Sequence, residues 1–186
     1  MKNLRNLQKT NGLRGFTLVE LLVVVTIIVV LSGLVIGVSG FVQRKAAVTK
    51  AKTQLKLMEA KLDEYTQDAG GLPEKFDDKG LIVYTMLYGD GIGPDGVAGS
   101  LDDTPPDGTP DEGARVYLSE LDPNINKQQM LALRPGSRVP LKLVDPWGNS
   151  WRFRSGDSHN PKNPDFDLWS MGPDARENTE DDIRNW

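Results

Sequence analysis

The feature that most restricts this chain is the stretch Gly15–Phe41, GFTLVELLVVVTIIVVLSGLVIGVSGF, an apolar run holding one acid, Glu20. From Leu21 to Val42 no residue is charged, a 22-residue interval that matches the roughly 20 residues a helix needs to cross a bilayer. Lys2, Arg5, Lys9 and Arg14 precede the run with no acid among them. A secretory signal is one reading of such a start, but the run outlasts the apolar core of an ordinary signal and no small-residue cleavage site follows it. A plain membrane anchor is another, and Glu20 argues against it. A carboxylate within hydrocarbon costs on the order of 2.5–3.5 kcal/mol at a helix centre, so it needs a partner, a purpose or a route to the headgroups. The reading favoured is a membrane-inserted helix that carries a soluble domain.

Charge is distributed unevenly. The first 52 residues carry eight Lys and Arg against Glu20 alone, while the acids crowd the rest of a chain whose net charge is −4. An acidic distal domain repels phosphates, which argues against a general nucleic-acid surface. With no cysteine and one histidine, His159, disulfides, thiolate metal sites and multi-histidine centres are unavailable.

Past the apolar run, Val48, Ala51, Leu55, Met58, Leu62 and Tyr65 recur at three- and four-residue spacings, an apolar stripe on a continuing helix. Gly70-Gly71 and Pro73 supply its stop, so one helix is expected from about Phe16 to about Ala69. Gly33, Gly37 and Gly40 allow it to bend or to approach neighbouring helices closely. The stripe needs the remainder of the chain to pack on. Leu81–Tyr88 suits a short helix with Asp77-Asp78 before it. Val116–Leu121 is expected to be extended. Leu141–Val144 and Ser150–Arg154, joined by Asp145-Pro-Trp-Gly148, form an expected hairpin, and Phe166–Ser170 a third strand. The fold class is therefore α+β, a long N-terminal helix packed on a small antiparallel head.

Arg14-Gly15 followed by Phe16-Thr17-Leu18-Val19-Glu20 and the apolar run resembles the N-terminal segment of type IV pilins and type II secretion pseudopilins. The resemblance implies cleavage between Gly15 and Phe16 by a membrane prepilin peptidase, N-methylation of the Phe16 amine, and an assembly role for Glu20. A freed amine on this subunit or a neighbour is the nearest cation for that carboxylate. The expected organisation is a basic leader over 1–15, a transmembrane and assembly helix over 16–40, its amphipathic continuation over 41–70, and a periplasmic head over 71–186.

The residues 89–113, GDGIGPDGVAGSLDDTPPDGTPDEG, carry seven acids and no Lys or Arg, a loop by composition. Gly91-Ile-Gly-Pro-Asp-Gly96 satisfies GxGxxG literally, but a dinucleotide site needs a helix opening at the last glycine, and Leu101-Asp-Asp-Thr-Pro-Pro106 is a poor continuation of one. Acidic turns without an apolar pocket are likewise poor general acids. No enzyme is expected.

At the C-terminus, residues 171–186 place Asp174, Thr179, Asp181 and Asp182 on one compact loop. Hard cations take six to eight oxygens, mixing carboxylates with main-chain carbonyls; a solvated acidic tail is the alternative. Asp145-Pro-Trp-Gly148, Phe166-Asp-Leu-Trp-Ser-Met-Gly-Pro-Asp174 and Asp181-Asp-Ile-Arg-Asn-Trp186 resemble the head of the major pseudopilin of type II secretion systems. That resemblance implies a calcium ion held by Asp174, Thr179, Asp181 and Asp182 with the carbonyls of Met171 and Arg176. Ala175 and Arg176 stand where the family often has a Gly and a small or apolar residue, and the 89–113 insertion departs further. Within it Asp95, Ser100, Asp102 and Asp103 repeat the offsets of Asp174, Thr179, Asp181 and Asp182, which makes a second calcium loop the expectation and a flexible acidic loop the alternative.

The expected function is a structural subunit of a secretion pseudopilus, self-assembling into a filament. Its expected partners are the prepilin peptidase, other pseudopilins, inner-membrane assembly components and the membrane, with no nucleic acid. A type IV pilin for adhesion or motility, and a monomeric membrane-anchored calcium-binding module, are the alternatives.

Overall fold

The computed structural model describes residues 15–186. The leader expected over 1–15 therefore lies, apart from Gly15, outside the described residues, as do the surroundings of 34–39, Gly37 included, and of Ser158. Helix α1 spans Leu18–Ala69. The chain divides into two compact units between Gln43 and Arg44.

In the first unit the apolar side chains of α1 are exposed, Phe16 at 83% and Leu31 at 55%, with no core of their own to enter. Among the described residues no helix is long and apolar enough to cross a membrane; the uncharged run counted in the sequence includes residues 34–39. The start of α1 has a local cause. Thr17 Oγ1 accepts the Glu20 amide at 3.2 Å, while the Glu20 carboxylate accepts the Thr17 amide and hydroxyl, each at 2.8 Å. This is a reciprocal capping box.

The second unit is the head with the outer turns of α1. The predicted stripe is its spine: Ala51, Leu55, Met58, Leu62 and Tyr65 are buried and Val48 is partly so. Each buried large apolar side chain contributes about 1.5–3 kcal/mol, which explains why these turns belong with the head. Helix α1 closes at Gly70, whose amide still donates to the Thr66 carbonyl at 3.0 Å. Strand β1 (Lys75–Asp77) follows, then helix α2 (Leu81–Tyr88), buried from Ile82 to Tyr88. A helix this apolar on every face must be enclosed. The Asp77 carboxylate begins it, accepting the Lys79 and Ile82 amides at 2.8 and 2.7 Å.

Strands β2 (Leu131–Leu133) and β3 (Pro140–Leu143) pair antiparallel as a two-stranded sheet. Strands β4 (Arg152–Ser155), β5 (Phe166–Ser170) and β6 (Ile183–Arg184) join β1 in an antiparallel sheet of order β1-β4-β5-β6. Trp151, Phe153 and Leu168 are fully buried. The helix expected at 81–88 and the strand at 166–170 are present. The expected hairpin is present as a tight reversal, with a Val144–Ser150 bridge, the Trp151 amide donating to the Leu143 carbonyl and the Asp145 amide to the Asn149 carbonyl, each at 2.9 Å, but its arms β3 and β4 enter different sheets. The expected extended piece at 116–121 instead ends in a 3-10 turn over Ser119–Leu121. Strands β1, β2 and β6 hold only two or three residues, too short for an alternating pattern.

Residues 89–113 contain neither helix nor strand, so Gly96 leads into turns rather than a helix. The segment is nonetheless held firmly. Buried Asp90 accepts the Tyr84 hydroxyl at 2.6 Å and the Asp107 and Gly108 amides at 2.9 and 2.8 Å. Asp111 accepts the amides of Ile92 and Gly93 at 2.8 and 3.1 Å. The Ala98 amide donates to the Tyr65 hydroxyl on α1 at 3.0 Å. Just beyond, Arg115 pairs with Glu64 and Asp68 of the same helix.

Candidate functional site

The terminal loop rises from the end of β5 and returns as β6. Beneath it sits Asp145, 3% exposed, whose carboxylate accepts the Trp147 and Asn149 amides at 2.9 Å each and the Ser170 hydroxyl at 2.5 Å. Ser170 Oγ in turn accepts the Gly172 amide at 3.0 Å, and Asn149 Nδ2 donates to the Gly172 carbonyl at 2.7 Å. The two sequence motifs that flank the loop thus meet in one buried network. Asp145 and Ser170 were not among the expected site residues. The Asp-x-x-Gly turn was the available signal, but it says nothing of Ser170.

Within the loop, Asp181 Oδ2 accepts the Asp174 amide at 3.2 Å and Asp174 Oδ1 the Arg176 amide at 2.8 Å. Asp182 Oδ2 accepts the Asn178 amide at 2.9 Å and pairs with Arg184. Around Thr179 Oγ1 lie Asp181 Oδ1 at 2.6 Å, Asp182 Oδ1 at 3.1 Å, the Arg176 carbonyl at 3.3 Å and Asp174 Oδ1 at 3.5 Å. One hydroxyl proton cannot satisfy four acceptors, three of them ionisable. A hard cation can, because it draws oxygens of mixed type to one centre. Oxygens of these types are the ones a hard cation takes. Among the described residues no group of three or more His, Cys, Asp or Glu side chains is placed to hold a metal ion. The Met171 carbonyl is not among the oxygens around Thr179. The Thr179 hydroxyl holds the Asp181 carboxyl below its ordinary range.

The insertion builds the same loop a second time. The Asp95 amide donates to Asp102 Oδ2 at 3.2 Å, the Val97 amide to Asp95 Oδ1 at 2.8 Å and the Gly99 amide to Asp103 Oδ2 at 2.6 Å. Ser100 Oγ bonds Asp102 Oδ1 and lies 3.4 Å from Asp103 Oδ1; that hydroxyl depresses the Asp102 carboxyl as Thr179 does Asp181. Gly93 and Gly172 hold equivalent places at φ of 72° and 66°, where a Cβ would meet the Asp102 and Asp181 carbonyls at 2.7 and 2.4 Å. Only glycine admits that approach. Asp95, Ser100, Asp102 and Asp103 are brought together in the order that the sequence offsets indicated.

At the other end of the chain, Gly15 and Phe16 precede α1 in exposed, non-helical backbone. Glu20 stands in its first turn, bonded to Thr17. The Thr17-x-x-Glu20 spacing carries a capping signal that reading Glu20 only as an assembly residue leaves unused.

Comparison with known proteins joins these two ends. Residues 11–36 match the prokaryotic N-terminal methylation motif, and residues 127–186 match the type II secretion system protein G domain. The type II secretion system core protein G of Escherichia coli (strain K12) is 31% identical over 180 residues, covering 97% of this chain and 95% of that protein. The chain belongs to the type II secretion system core protein G family. The core protein G of Pseudomonas aeruginosa is 30% identical over 175 residues, covering 92% of this chain and 94% of its own. The crystal structure of the major pseudopilin from the type 2 secretion system of enterohaemorrhagic Escherichia coli shares 22% identity over 77% of this chain and 90% of that chain, with a TM-score of 0.41. The core protein G family accounts for the methylation motif and the protein G domain within one chain.

Proposed function

We infer that this structural pseudopilus subunit of type II secretion works as a stem that assembles and a head locked by calcium. The observation that carries the reading is the co-occurrence, in one chain, of the methylation motif and the gathered oxygens around Thr179. Prepilin peptidase cuts between Gly15 and Phe16 and the Phe16 amine is methylated. Before assembly α1 is held in the bacterial inner membrane, single-pass, with the head in the periplasm. On assembly, alongside other pseudopilins and inner-membrane components, the exposed apolar faces of α1 exchange lipid for copies of the same helix. Glu20, capped by Thr17 in the single chain, then meets the cationic amine and sets register between stems. This exchange keeps the carboxylate partnered throughout, which hydrocarbon demands.

Calcium binds the terminal loop through Asp174, Thr179, Asp181 and Asp182 with the Arg176 and Met171 carbonyls. A second ion binds through Asp95, Ser100, Asp102 and Asp103. Clustered carboxylates repel one another until a cation joins them, so the ions stabilise the head by linkage.

Mass spectrometry of the mature protein tests the stem reading: a methylated Phe16 N-terminus is expected, and an intact leader would overturn it. Calcium titration by calorimetry of the full chain tests the head. Two sites are expected, one lost in Asp174→Ala and the other in Asp102→Ala; a single site indifferent to Asp102→Ala removes the second ion. Deleting the gene is expected to abolish secretion; loss of surface pili with secretion intact would instead favour an adhesive or motility pilin.

A further inference from the structure

Past Val42 the chain turns basic at once. Arg44, Lys45, Lys50, Lys52 and Lys56 follow, and no acid occurs between Glu20 and Glu59. Lys56 is paired with Glu59 at 2.7 Å. The other four take part in none of the ion pairs among the described residues. Arg44, Lys45 and Lys52 are exposed and Lys50 is half-buried. Lys45 and Lys52 stand seven residues apart in the sequence and so share one face of α1, while the buried stripe holds another. Four cations without an acid thus form a collar on α1 directly after its uncharged run.

The collar's place along the helix decides what it can meet. The uncharged run Leu21–Val42 is 22 residues long, about 33 Å as a helix, against about 30 Å of hydrocarbon in a bilayer. A stem that fills that thickness brings Arg44 and Lys45 to the level of the lipid phosphates. Lys50 and Lys52 lie about 9 and 12 Å beyond Arg44 along the helix. Their flexible stems reach back toward a charged surface, whose field extends over a Debye length of about 8 Å. In the topology inferred above, the collar lies on the translocated side, where flanking Lys and Arg are normally sparse. Cations there need a counter-charge, and the first acid of the head, Glu59, is already taken by Lys56.

We propose that Arg44, Lys45, Lys50 and Lys52 bind the phosphates of anionic lipids in the periplasmic leaflet and so fix the depth of the stem before assembly. Drawing the stem inward pulls the cations toward hydrocarbon, and drawing it outward strips them of phosphate. The collar therefore resists displacement in both directions. The proposal rests on the membrane-held reading. An acidic head of a neighbouring copy is the competing counter-charge. Continuity favours lipid, because the collar starts two residues past the uncharged run and is complete before the acids of the head begin.

The test uses the protein purified from its host membrane and reconstituted in phosphatidylcholine bilayers carrying a trace of spin-labelled phosphatidylglycerol or phosphatidylcholine. Electron spin resonance reads the lipid held at the protein. Phosphatidylglycerol is expected to associate about fivefold more strongly than phosphatidylcholine, as one cation beside an anionic headgroup implies, and salt should weaken that preference. The Arg44→Gln/Lys45→Gln/Lys50→Gln/Lys52→Gln variant should bring it below about twofold. Lys45→Gln/Lys52→Gln, confined to exposed positions, should fall between. Lys45→Arg/Lys50→Arg/Lys52→Arg should keep the preference, and so should Lys56→Gln, whose cation is already paired. A preference unchanged in the four-glutamine variant overturns the collar as the site. No preference in the unaltered protein overturns it as well, and a loss of filament yield in that variant then assigns the counter-charge to a neighbouring head. Absence of any protein-held lipid with either label removes the membrane-held reading and the collar contact with it.

Discussion

The loops at 93–103 and 172–182 have the same three Asp-anchored amide bonds, the same hydroxyl between carboxylates and the same glycine pressed on a carbonyl. What they rest on differs. The terminal loop stands between β5 and β6 over the Asp145–Ser170 network. The insertion loop hangs from α2 through Asp90 and from α1 through Tyr65, and is cross-linked internally by Asp111. One short pattern of glycine, hydroxyl and three aspartates therefore specifies its own conformation on two unrelated supports. The lesson is that the oxygen cluster is a local product, while its placement belongs to the support.

Removing each support should separate the two. Asp145→Ala strands two amides and the Ser170 hydroxyl, and at about 1 kcal/mol for each lost bond should cost roughly 3 kcal/mol, read by urea unfolding. Asp90→Ala also strands three donors, but burial has pushed the Asp90 carboxyl above its ordinary range. Removing that desolvated charge returns part of the loss, so about 2 kcal/mol is expected. Equal costs would show that the buried network beneath the terminal loop has no special standing.

A smaller effect separates the backbones. Ala175 and Gly96 are equivalent and both left-handed, at φ of 57° and 71°. Alanine in that region costs about 1–2 kcal/mol, so Ala175→Gly should stabilise the head by about 1 kcal/mol, a little entropy being returned to the unfolded chain. Gly96→Ala should destabilise by a similar amount. Thermal melts of both variants would show opposite signs.

The smallest difference is one of acidity. The Thr179 hydroxyl lowers the Asp181 carboxyl and the Ser100 hydroxyl the Asp102 carboxyl. A folded-state value below the unfolded one contributes stability that is present above the unfolded value, near 3.9, and is lost as pH falls through the folded one. Calcium-free melts of the unaltered chain and of Asp181→Asn and Asp102→Asn should therefore keep a constant separation at neutral pH and converge only below the ordinary aspartate range. Convergence at pH 6 would contradict the hydroxyl as the cause.

Local patterns were the legible part of this protein. The stripe from Val48 to Tyr65, the apolar octet Leu81–Tyr88 and the strand Phe166–Ser170 each repeat one environment over enough residues to declare a period. The reversal around Asp145 is local and legible, but nothing local says that β3 pairs with β2 while β4 pairs with β1 and β5. At the terminal loop the side chains of Asp174, Asp181 and Asp182 and the Arg176 carbonyl gather around Thr179 Oγ1, all from one short stretch of sequence.

By itself, then, the sequence determined the apolar stem with its glutamate, the family, and both oxygen loops, because each depends on residues close in the chain. Tertiary structure alone decided that Asp145 supports Ser170 and that Tyr65 and Asp90 secure the insertion. Those relations join residues far apart in sequence. Their energies come from burial and from donors that must be satisfied inside it, and no local spacing encodes which distant partner will satisfy them.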